Sequence, residues 1–316
     1  MNKRHLGHSG IEVAPLAFGG NVFGWTVDEA TSFKLLDAFV DAGFNLIDTA
    51  DVYSAWVPGN KGGESETIIG KWLKQRGHRE KVVIATKVGM EMGPGKKGLA
   101  PYYIEKAVED SLKRLQTDYI DLYQSHRDDP TIPQEETLEA YDKLRNQGKI
   151  RAIGASNFTK DRLAEALAIS ARWNYPSYIT LQPNYNLYDR QDFEKELEPF
   201  CLEKGLGVIS YYSLASGFLT GKYRSATDAN KSARGGKAAG YLNDRGLRIL
   251  KALDEVAAQH KVNPATIALA WLINRKSITA PIASATSIEQ LKDLTKSAQI
   301  QLSAQDIELL NKASAY

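Results

Sequence analysis

The stretch Phe44–Tyr53, FNLIDTADVY, decides the fold of this chain. Its first half is apolar and β-branched, which is typical of a short buried strand. Its second half brings Asp48, Asp51 and Tyr53, residue types that do not favour the interior of a strand. We therefore expect a strand that ends near Asp48 and places a carboxylate and a phenol just beyond its carboxyl end, where α/β folds carry their chemistry.

Two other apolar runs end in the same way. The run KVVIATK ends in the cation Lys87, and the run YIDLYQSH ends in the imidazole of His126. Because the carboxyl ends of parallel strands meet at one edge of a sheet, these side chains are expected near Asp48 and Tyr53. The four groups together predict a proton-transfer site that needs neither a metal ion nor a cysteine.

The phenol of Tyr53 is the expected proton donor of this site. An unperturbed phenol has a pKa of about 10, and a nearby Lys87 ammonium would lower that pKa by stabilising the phenolate. Asp48 could pair with Lys87 and keep it charged, and His126 could hydrogen-bond a substrate carbonyl and fix its angle. Such a donor serves enolisation, hydration and reduction equally well, so these residues alone leave the reaction open.

Apolar runs and amphipathic segments alternate along the whole chain, which demands a parallel sheet. Eight strand–helix units without a linker favour a closed (β/α)8 TIM barrel, formed by residues 1–316 as a single domain, over an open doubly wound sheet. A β-hairpin at residues 3–13 precedes the barrel, and extra helices follow it at the C-terminus. The predicted strands are 14–19, 44–48, 81–87, 119–126, 150–155, 178–183, 207–212 and 278–282. The predicted helices are 28–42, 64–76, 101–115, 135–147, 159–172, 193–204, 246–260, 264–274, 287–297 and 303–313.

The composition fits an ordinary globular enzyme. The chain has 316 residues, of which 43% are hydrophobic, and a formal net charge of +2, which argues against nucleic acid or a membrane as partner. One cysteine and no apolar run of membrane-spanning length fit a cytoplasmic protein. The histidines show no metal-ligand spacing, so no metal site is expected. We expect a monomer, although the sequence leaves the oligomeric state open.

The segment 214–245 is the longest connection and is rich in cations. Such long loops are usually functional or disordered, and barrels often bind phosphate after the seventh strand. The segment therefore predicts either a site for an anionic ligand or a solvated surface loop. Its cations are Lys222, Arg224, Lys231, Arg234, Lys237 and Arg245, against Asp228 and Asp244.

Several motifs in order resemble those of the aldo-keto reductase family. They are FNLIDTADVY, VVIATK, DYIDLYQSHRDDP, GKIRAIGASNF, LQPNYNLYDR and SYYSLASGFLTGKY. The resemblance implies a (β/α)8 barrel that binds a nicotinamide cofactor, most often NADP(H) with NAD(H) possible, and reduces the carbonyl of a small aldehyde or ketone. It also implies that Tyr53 is the acid and that Asp48, Lys87 and His126 complete a catalytic tetrad.

The resemblance further implies a set of cofactor contacts and a substrate pocket. The cofactor contacts are Gly20, Asn21 and Asp48 near the ribose and nicotinamide, Ser156, Asn157 and Gln182 at the carboxamide, Tyr211 stacked on the ring, Tyr212, Ser213, Leu214, Ala215 and Ser216 at the pyrophosphate with the cations Lys222 and Arg234, and Ser284, Thr286, Gln290, Asp293 and Leu294 at the adenosine. Thr286 stands where relatives often carry an arginine for the 2′-phosphate. Trp25 and Trp56 are expected either to line the substrate pocket beside Tyr53 and His126 or to pack peripherally.

Two alternatives to a reductase stay open at this stage. One is a non-catalytic, cofactor-binding regulatory subunit of the same fold, which the presence of the whole tetrad disfavours. The other is a cofactor-free lyase or isomerase that uses Tyr53 and Lys87.

Overall fold

A computed structural model describes residues 2–316 of the chain. A short antiparallel hairpin, β1 (Arg4–His5) and β2 (Glu12–Val13), precedes an eight-stranded parallel sheet. The strands of this sheet are β3 (Ala17–Gly19), β4 (Leu46–Asp48), β5 (Val83–Val88), β6 (Ile120–Ser125), β7 (Ile150–Ser156), β8 (Tyr178–Gln182), β9 (Gly207–Val208) and β10 (Ile282–Ala283).

The sheet curls until its two edges meet. Neighbouring strands follow the chain order from β3 to β9, and β10 pairs with β3. Val208 forms a parallel bridge with Ile278, and the N–H of Thr279 donates to the carbonyl of Val208 at 2.8 Å. The N–H of Ile282 donates to the carbonyl of Ser210, also at 2.8 Å. These contacts confirm the predicted (β/α)8 barrel with its N-terminal hairpin, and the open doubly wound sheet is wrong.

The helices lie close to their predicted positions. The carboxylate of Asp28 accepts the N–H of Thr31 at 2.8 Å and so caps the first helix, as its sequence position predicts. A π-helical turn (Phe193–Leu197) replaces the first part of the predicted helix 193–204. None of the helices formed by residues 2–316 combines the length and apolar character needed to cross a membrane. The helices are α1 (Glu29–Asp41), α2 (Glu64–Arg76), α3 (Pro101–Leu115), α4 (Gln134–Asn146), α5 (Lys160–Trp173), α6 (Glu198–Lys204), α7 (Gly235–Ala239), α8 (Asp244–His260), α9 (Pro264–Ile273), α10 (Ile288–Lys296) and α11 (Ala304–Ala313).

Several strands are shorter than their apolar runs predict. The N–H of Ala14 donates to the side chain of Asn45 at 2.9 Å instead of to a neighbouring strand, and β3 begins only at Ala17. Strand β9 ends at Val208, and Tyr212, predicted to lie within it, has a left-handed φ of 52°. A left-handed residue cannot continue a strand. The predicted loop 214–245 instead contains α7 and two short 3₁₀ helices.

The barrel interior has an apolar lower layer and a polar upper layer. Side chains two residues apart on a strand face the same side of the sheet. Leu46, Ala85 and Leu122 pack together inside the barrel with Leu6 and Val13 of the hairpin, which close its lower end. The next inward positions toward the carboxyl ends of the same strands are 48, 87 and 124. Folding therefore gathers a carboxylate, an ammonium and an amide above the apolar layer.

A second polar cluster lies outside the barrel wall, beneath α2 and α3. Glu66 is fully buried, and its two carboxylate oxygens accept hydrogen bonds from the Thr86 hydroxyl and from Nε of Arg114, both at 2.6 Å. Asp51 is 2% exposed, and neither of its carboxylate oxygens has a hydrogen-bond partner within residues 2–316. Burial, followed by the neighbouring Glu66 carboxylate, raises the pKa of Asp51 well above its ordinary value. Burial therefore favours the protonated form of Asp51 in the folded protein.

We expect Asp51→Asn to stabilise the protein, and to do so more at high pH. In the unfolded chain an aspartate has a pKa of about 3.9, so between this value and the raised pKa of the folded state, folding takes up a proton at Asp51. The folded wild type therefore loses stability as pH rises, whereas the neutral asparagine variant lacks this loss. Urea unfolding at pH 5 and pH 8 should show a gain in the free energy of unfolding that grows with pH.

The matched control is Asp118→Asn, because Asp118 is exposed. This variant should show no pH-dependent gain. A gain for Asp51→Asn that is equal at the two pH values would mean that Asp51 is ionised in the folded protein.

Candidate active site

A buried ion pair forms the base of the site. Lys87 is fully buried, and its Nζ donates to Oδ2 of Asp48 at 2.7 Å and to the carbonyl of Thr49 at 2.8 Å. Burial alone would lower the pKa of Lys87, but the Asp48 carboxylate and the Tyr53 phenol oppose it, and the net pKa lies above the ordinary value. The ammonium is therefore charged in the folded protein.

The phenol of Tyr53 stands directly over this ammonium. Tyr53 lies in the turn after β4, and its Oη is 3.4 Å from Nζ of Lys87. Burial raises the pKa of Tyr53 above its ordinary value, and the ammonium offsets only part of that rise. The sequence-based expectation is thus correct for the sign of the Lys87 contribution but wrong for the net pKa. The phenol of Tyr53 is therefore neutral at physiological pH.

His126 completes the group predicted from the strand ends. It follows β6, and its ring centroid is 5.8 Å from that of Tyr53. Its Nδ1 is buried without a hydrogen-bond partner within residues 2–316. Burial, reinforced by the positive charges of Lys87 and Arg127, lowers the pKa of His126 well below its ordinary value. A neutral imidazole beside the phenol can hydrogen-bond a carbonyl oxygen held there.

The second carboxylate oxygen of Asp48 is held by two glutamines. Nε2 of Gln182 donates to Oδ1 of Asp48 at 2.9 Å, and Nε2 of Gln124 lies 3.3 Å from the same oxygen. The donor group of Gln182, predicted to contact the carboxamide, thus points into the barrel. Sequence reasoning missed Gln124. The signal was present, because Gln124 lies two residues before His126 and two after Leu122 on one strand.

Three predicted carboxamide and ring contacts are joined in one chain of hydrogen bonds. The hydroxyl of Tyr211 donates to Oδ1 of Asn157 at 2.8 Å, and Nδ2 of Asn157 donates to the carbonyl of His126 at 2.9 Å. The same Nδ2 lies 3.1 Å from Oγ of Ser156, which donates to the carbonyl of Gln182 at 2.9 Å. The structure therefore brings these residues to the same rim as the tetrad.

The segment predicted to contact the pyrophosphate is a left-handed turn beyond β9. Ala215 and Ser216 have φ angles of 48° and 56°, and Gly217 has 93°. Turned backbone of this kind can present N–H groups to an anion. Ser213 and Leu214 precede the turn. The residues present fit an anionic group at this place.

The side chain of Lys222 reinforces that fit. Its Nζ lies close to Gly217, at 3.7 Å from the position that a Cβ atom would occupy on this glycine. A lysine ammonium is a point charge that serves phosphate oxygens well.

The predicted adenosine contacts separate into two groups. The hydroxyl of Ser284 lies 2.7 Å from Oδ1 of Asn21. Asn21 belongs to the short helical turn that begins at Gly20 after β3. Oε1 of Gln290 accepts the N–H of Thr286 at 2.9 Å and lies 3.1 Å from its hydroxyl. These residues lie where β10 ends and α10 begins, which is the edge shared with β3.

Asp293 and Leu294 lie further along α10, and their side chains contact other parts of the protein. Oδ2 of Asp293 accepts a hydrogen bond from Asn263 at 2.6 Å. Leu294 is 4% exposed and packs with Leu291 in the hydrophobic core, because these two leucines form the buried stripe of the helix. The position of Leu294 therefore does not support its predicted contact with a cofactor.

An aromatic wall extends from the tetrad along the rim. The ring centroid of Trp56, which is 46% exposed, is 5.5 Å from that of Tyr53 and 5.7 Å from that of Trp25. Trp56 thus adjoins Tyr53 directly, and Trp25 lies behind Trp56 on the same wall. The guanidinium of Arg234 lies over Trp25, with Cζ 5.1 Å from the ring centroid. Arg234, which was grouped with Lys222 as a phosphate contact, thus lies at the edge of the aromatic wall.

Comparison with known proteins identifies the family. The sequence model of the "Aldo/keto reductase family" matches residues 15–315. The chain is 37% identical to "Uncharacterized oxidoreductase YrpG" of Bacillus subtilis (strain 168), with 98% of this chain and 95% of that protein covered. It is 31% identical to "Protein tas" of Escherichia coli (strain K12), covering 100% and 99%, and 33% identical to "Probable voltage-gated potassium channel subunit beta" of Oryza sativa subsp. japonica, covering 95% and 92%. These matches agree with the motifs and the barrel, and the chain belongs to the aldo/keto reductase family of oxidoreductases.

Proposed function

We propose that this protein is an NAD(P)H-dependent carbonyl reductase that converts small aldehydes or ketones to alcohols. The observation that carries the proposal is the contact of Tyr53 Oη with Lys87 Nζ at 3.4 Å, with Lys87 paired to Asp48 at 2.7 Å. A neutral phenol over a charged ammonium, beside a neutral imidazole, is the arrangement that protonates a carbonyl oxygen as it becomes an alkoxide. Enolisation and hydration would use the same proton donor, but membership of the aldo/keto reductase family favours reduction over both.

Each tetrad residue has a separate part in the proposed proton transfer. Tyr53 gives its proton to the substrate oxygen, and the adjacent Lys87 ammonium stabilises the phenolate that remains. Asp48 keeps Lys87 charged in its buried position. His126 hydrogen-bonds the same oxygen and fixes the orientation of the carbonyl group. The cofactor, when bound, supplies the hydride that the carbonyl carbon receives.

The cofactor would lie along the rim formed by the carboxyl ends of the strands, with one end beside β7–β9 and the other beside β3 and β10. Tyr211 and Asn157 would hold the nicotinamide, the turn Ala215–Gly217 with Lys222 the pyrophosphate, and Ser284 and Thr286 the adenosine end. Members of the family use NADP(H) or NAD(H), and we propose NADP(H) as the main cofactor, with the hydroxyls at the start of α10 in place of an arginine. A cytoplasmic, monomeric enzyme without nucleic-acid or membrane partners stays a prediction.

A regulatory, cofactor-holding subunit is the second candidate. The observation in its favour is the 33% identity to the rice protein that is named as a probable potassium channel subunit. The close approach of Tyr53, Lys87 and Asp48 favours catalysis, because a protein that only holds a cofactor needs no proton donor. Turnover separates the two: tight NADPH binding without reduction of any of a panel of aldehydes would favour the regulatory subunit.

We expect Tyr53→Phe to abolish most of the turnover. Removing a positioned general acid costs about 10²–10⁴-fold in rate. The loss of NADPH absorbance with 4-nitrobenzaldehyde measures kcat, and NADPH quenching of tryptophan fluorescence measures cofactor affinity. The variant should lose kcat by this factor, and its affinity for NADPH should stay close to that of the wild type.

Tyr102→Phe is the matched control, because Tyr102 is 69% exposed on α3 and the change is chemically identical. It should behave as the wild type in both measurements. Near-normal turnover by Tyr53→Phe would show that another group donates the proton.

The pH profile of the reduction is expected to be flat near neutrality. Burial raises the pKa of Tyr53 and lowers the pKa of His126 from their ordinary values of about 10 and 6.5, so both are neutral between about pH 7 and pH 9. We expect kcat/KM for 4-nitrobenzaldehyde, at saturating NADPH, to be constant over this range. A fall with an apparent pKa near 7 would assign a titrating imidazole to the mechanism and would contradict a neutral His126.

A further inference from the structure

Gln124 is a buried polar residue of the barrel interior that the proposed proton transfer does not use. It is fully buried, and its Nε2 lies 3.3 Å from Oδ1 of Asp48. Its Oε1 accepts a hydrogen bond from Nε2 of Gln182 at 3.2 Å. A buried amide costs free energy unless both of its ends are paired. Within residues 2–316, the side-chain amide of Gln124 finds its partners in the site itself.

The neighbouring strand β7 leaves room for the side chain of Gln124. Gln124 lies beside Gly154 of β7, and Gly154 lies beside Thr180 of β8. A Cβ atom on Gly154 would lie 3.1 Å from Cγ of Gln124 and would clash with Oγ1 of Thr180. Gly154 does not have a left-handed φ, so the backbone does not require a glycine here. The missing side chain therefore provides space, across which Gln124 reaches Gln182.

The side-chain amide of Gln182 is held by two acceptors. Its Nε2 donates to Oδ1 of Asp48 at 2.9 Å and to Oε1 of Gln124 at 3.2 Å. An ionised carboxylate only accepts hydrogen bonds, so the nitrogen end of Gln182 faces Asp48. With this bond alone the amide group could rotate about it. The second acceptor, Gln124, fixes the plane of the amide and hence the direction of Oε1.

The oxygen end of the same amide is left for a ligand. Within residues 2–316, Oε1 of Gln182 accepts no hydrogen bond, yet it is not one of the completely buried polar atoms without a partner. Gln182 is the last residue of β8, at the carboxyl end of the strand, and 2% of it is exposed. Its Oε1 is therefore an acceptor that can be reached from the mouth of the barrel.

We propose that Gln124 is a positioning residue that holds Oε1 of Gln182 ready to accept an N–H of the carboxamide of the nicotinamide cofactor. Gln124 acts through Gln182 and does not itself touch the cofactor. This inference deepens the proposed reductase and rests on it for the place of the nicotinamide. A merely structural Gln124 would instead support every cofactor equally.

A matched pair of cofactors tests the proposal. 3-Acetylpyridine adenine dinucleotide phosphate carries an acetyl group in place of the carboxamide of NADP+ and so has no N–H to donate. Quenching of tryptophan fluorescence gives the affinities for both without turnover. In Gln124→Met, which removes both polar atoms at similar length, we expect the preference for NADP+ over the analogue to fall about threefold to tenfold, as for a lost neutral hydrogen bond.

Gln134→Met is the matched control. Gln134 is also buried, but its amide donates to the carbonyl of Arg162 and to Glu165, outside the barrel. The control should keep the wild-type preference. Gln124→Asn, whose amide is one methylene shorter, should also lose preference and replaces Gln124→Met if that variant does not fold. An equal loss of affinity for the two cofactors, or no loss for either, would overturn the proposal.

A measurement on the cofactor-free protein separates this inference from the proposed reaction. With isotope-labelled glutamine, nuclear magnetic resonance reports the hydrogen exchange of the Gln182 side-chain amide, both of whose hydrogens are held in the wild type. Faster exchange in Gln124→Met, but not in Gln134→Met, supports the positioning of Gln182 even if no nicotinamide cofactor binds, in which case the proposed reductase fails and takes only the identity of the ligand with it. Unchanged exchange in Gln124→Met would overturn the positioning role.

Discussion

The buried ion pair between Lys87 and Asp48 is the interaction on which the site depends. An ammonium without access to water is tolerated only when its donors are satisfied, and Lys87 meets this condition with Asp48, the Thr49 carbonyl and the Tyr53 phenol. The carboxylate in turn receives the Gln182 amide at 2.9 Å. Removing one member of such a buried pair typically costs about 3–5 kcal/mol, because the other charge is left uncompensated. The pair therefore holds strands β4, β5 and β8 in one relative position.

The position of the pair follows from strand register. Gly19 lies beside Asp48, and Lys87 lies beside Gln124, in neighbouring parallel strands. The side chains below these positions, such as Leu46 and Ala85, form the apolar layer that fixes which residues face inward. A slip of one residue would turn the polar layer out of the barrel, into the apolar core that Ile47 and Ile84 form with the surrounding helices. The same packing that stabilises the barrel thus places the reacting groups.

The sequence was sufficient for the features that depend on local patterns. The apolar runs predicted the strands, Asp28 predicted a helix start, and the strand ends predicted the group of Asp48, Lys87 and His126 with Tyr53. Features that depend on tertiary context were not predictable in this way. Tyr212 lies in an apolar run but has a left-handed φ, which its neighbours along the chain do not show. The burial of Leu294, by contrast, is indicated by its three-residue spacing from Leu291, which places both leucines on one face of α10.

The electrostatic environments of Asp51 and Arg234 also depend on tertiary context and were not predictable from the sequence. The chain presents Asp51 as an ordinary turn residue, and only the closing of α2 and α3 over it removes water and partners. Arg234 is one of several cations in its loop, and only its position over Trp25, more than two hundred residues earlier in the chain, distinguishes it. Burial is a property of the whole fold, and the pKa shifts that depend on it cannot be derived from a motif.

The distribution of charge inside the site also explains why a weak acid such as the Tyr53 phenol could serve as the proton donor of the proposed reaction. Lys87 is the charged group beside Tyr53, while burial keeps the phenol and the His126 imidazole neutral. A phenol with a raised pKa does not release its proton to a resting carbonyl, which is a very weak base. In the proposed reduction, Tyr53 would release the proton only when negative charge develops on the substrate oxygen, and the ammonium would then stabilise the phenolate. The same raised pKa that makes Tyr53 inert toward water would therefore tie its proton to the proposed reduction of a bound carbonyl.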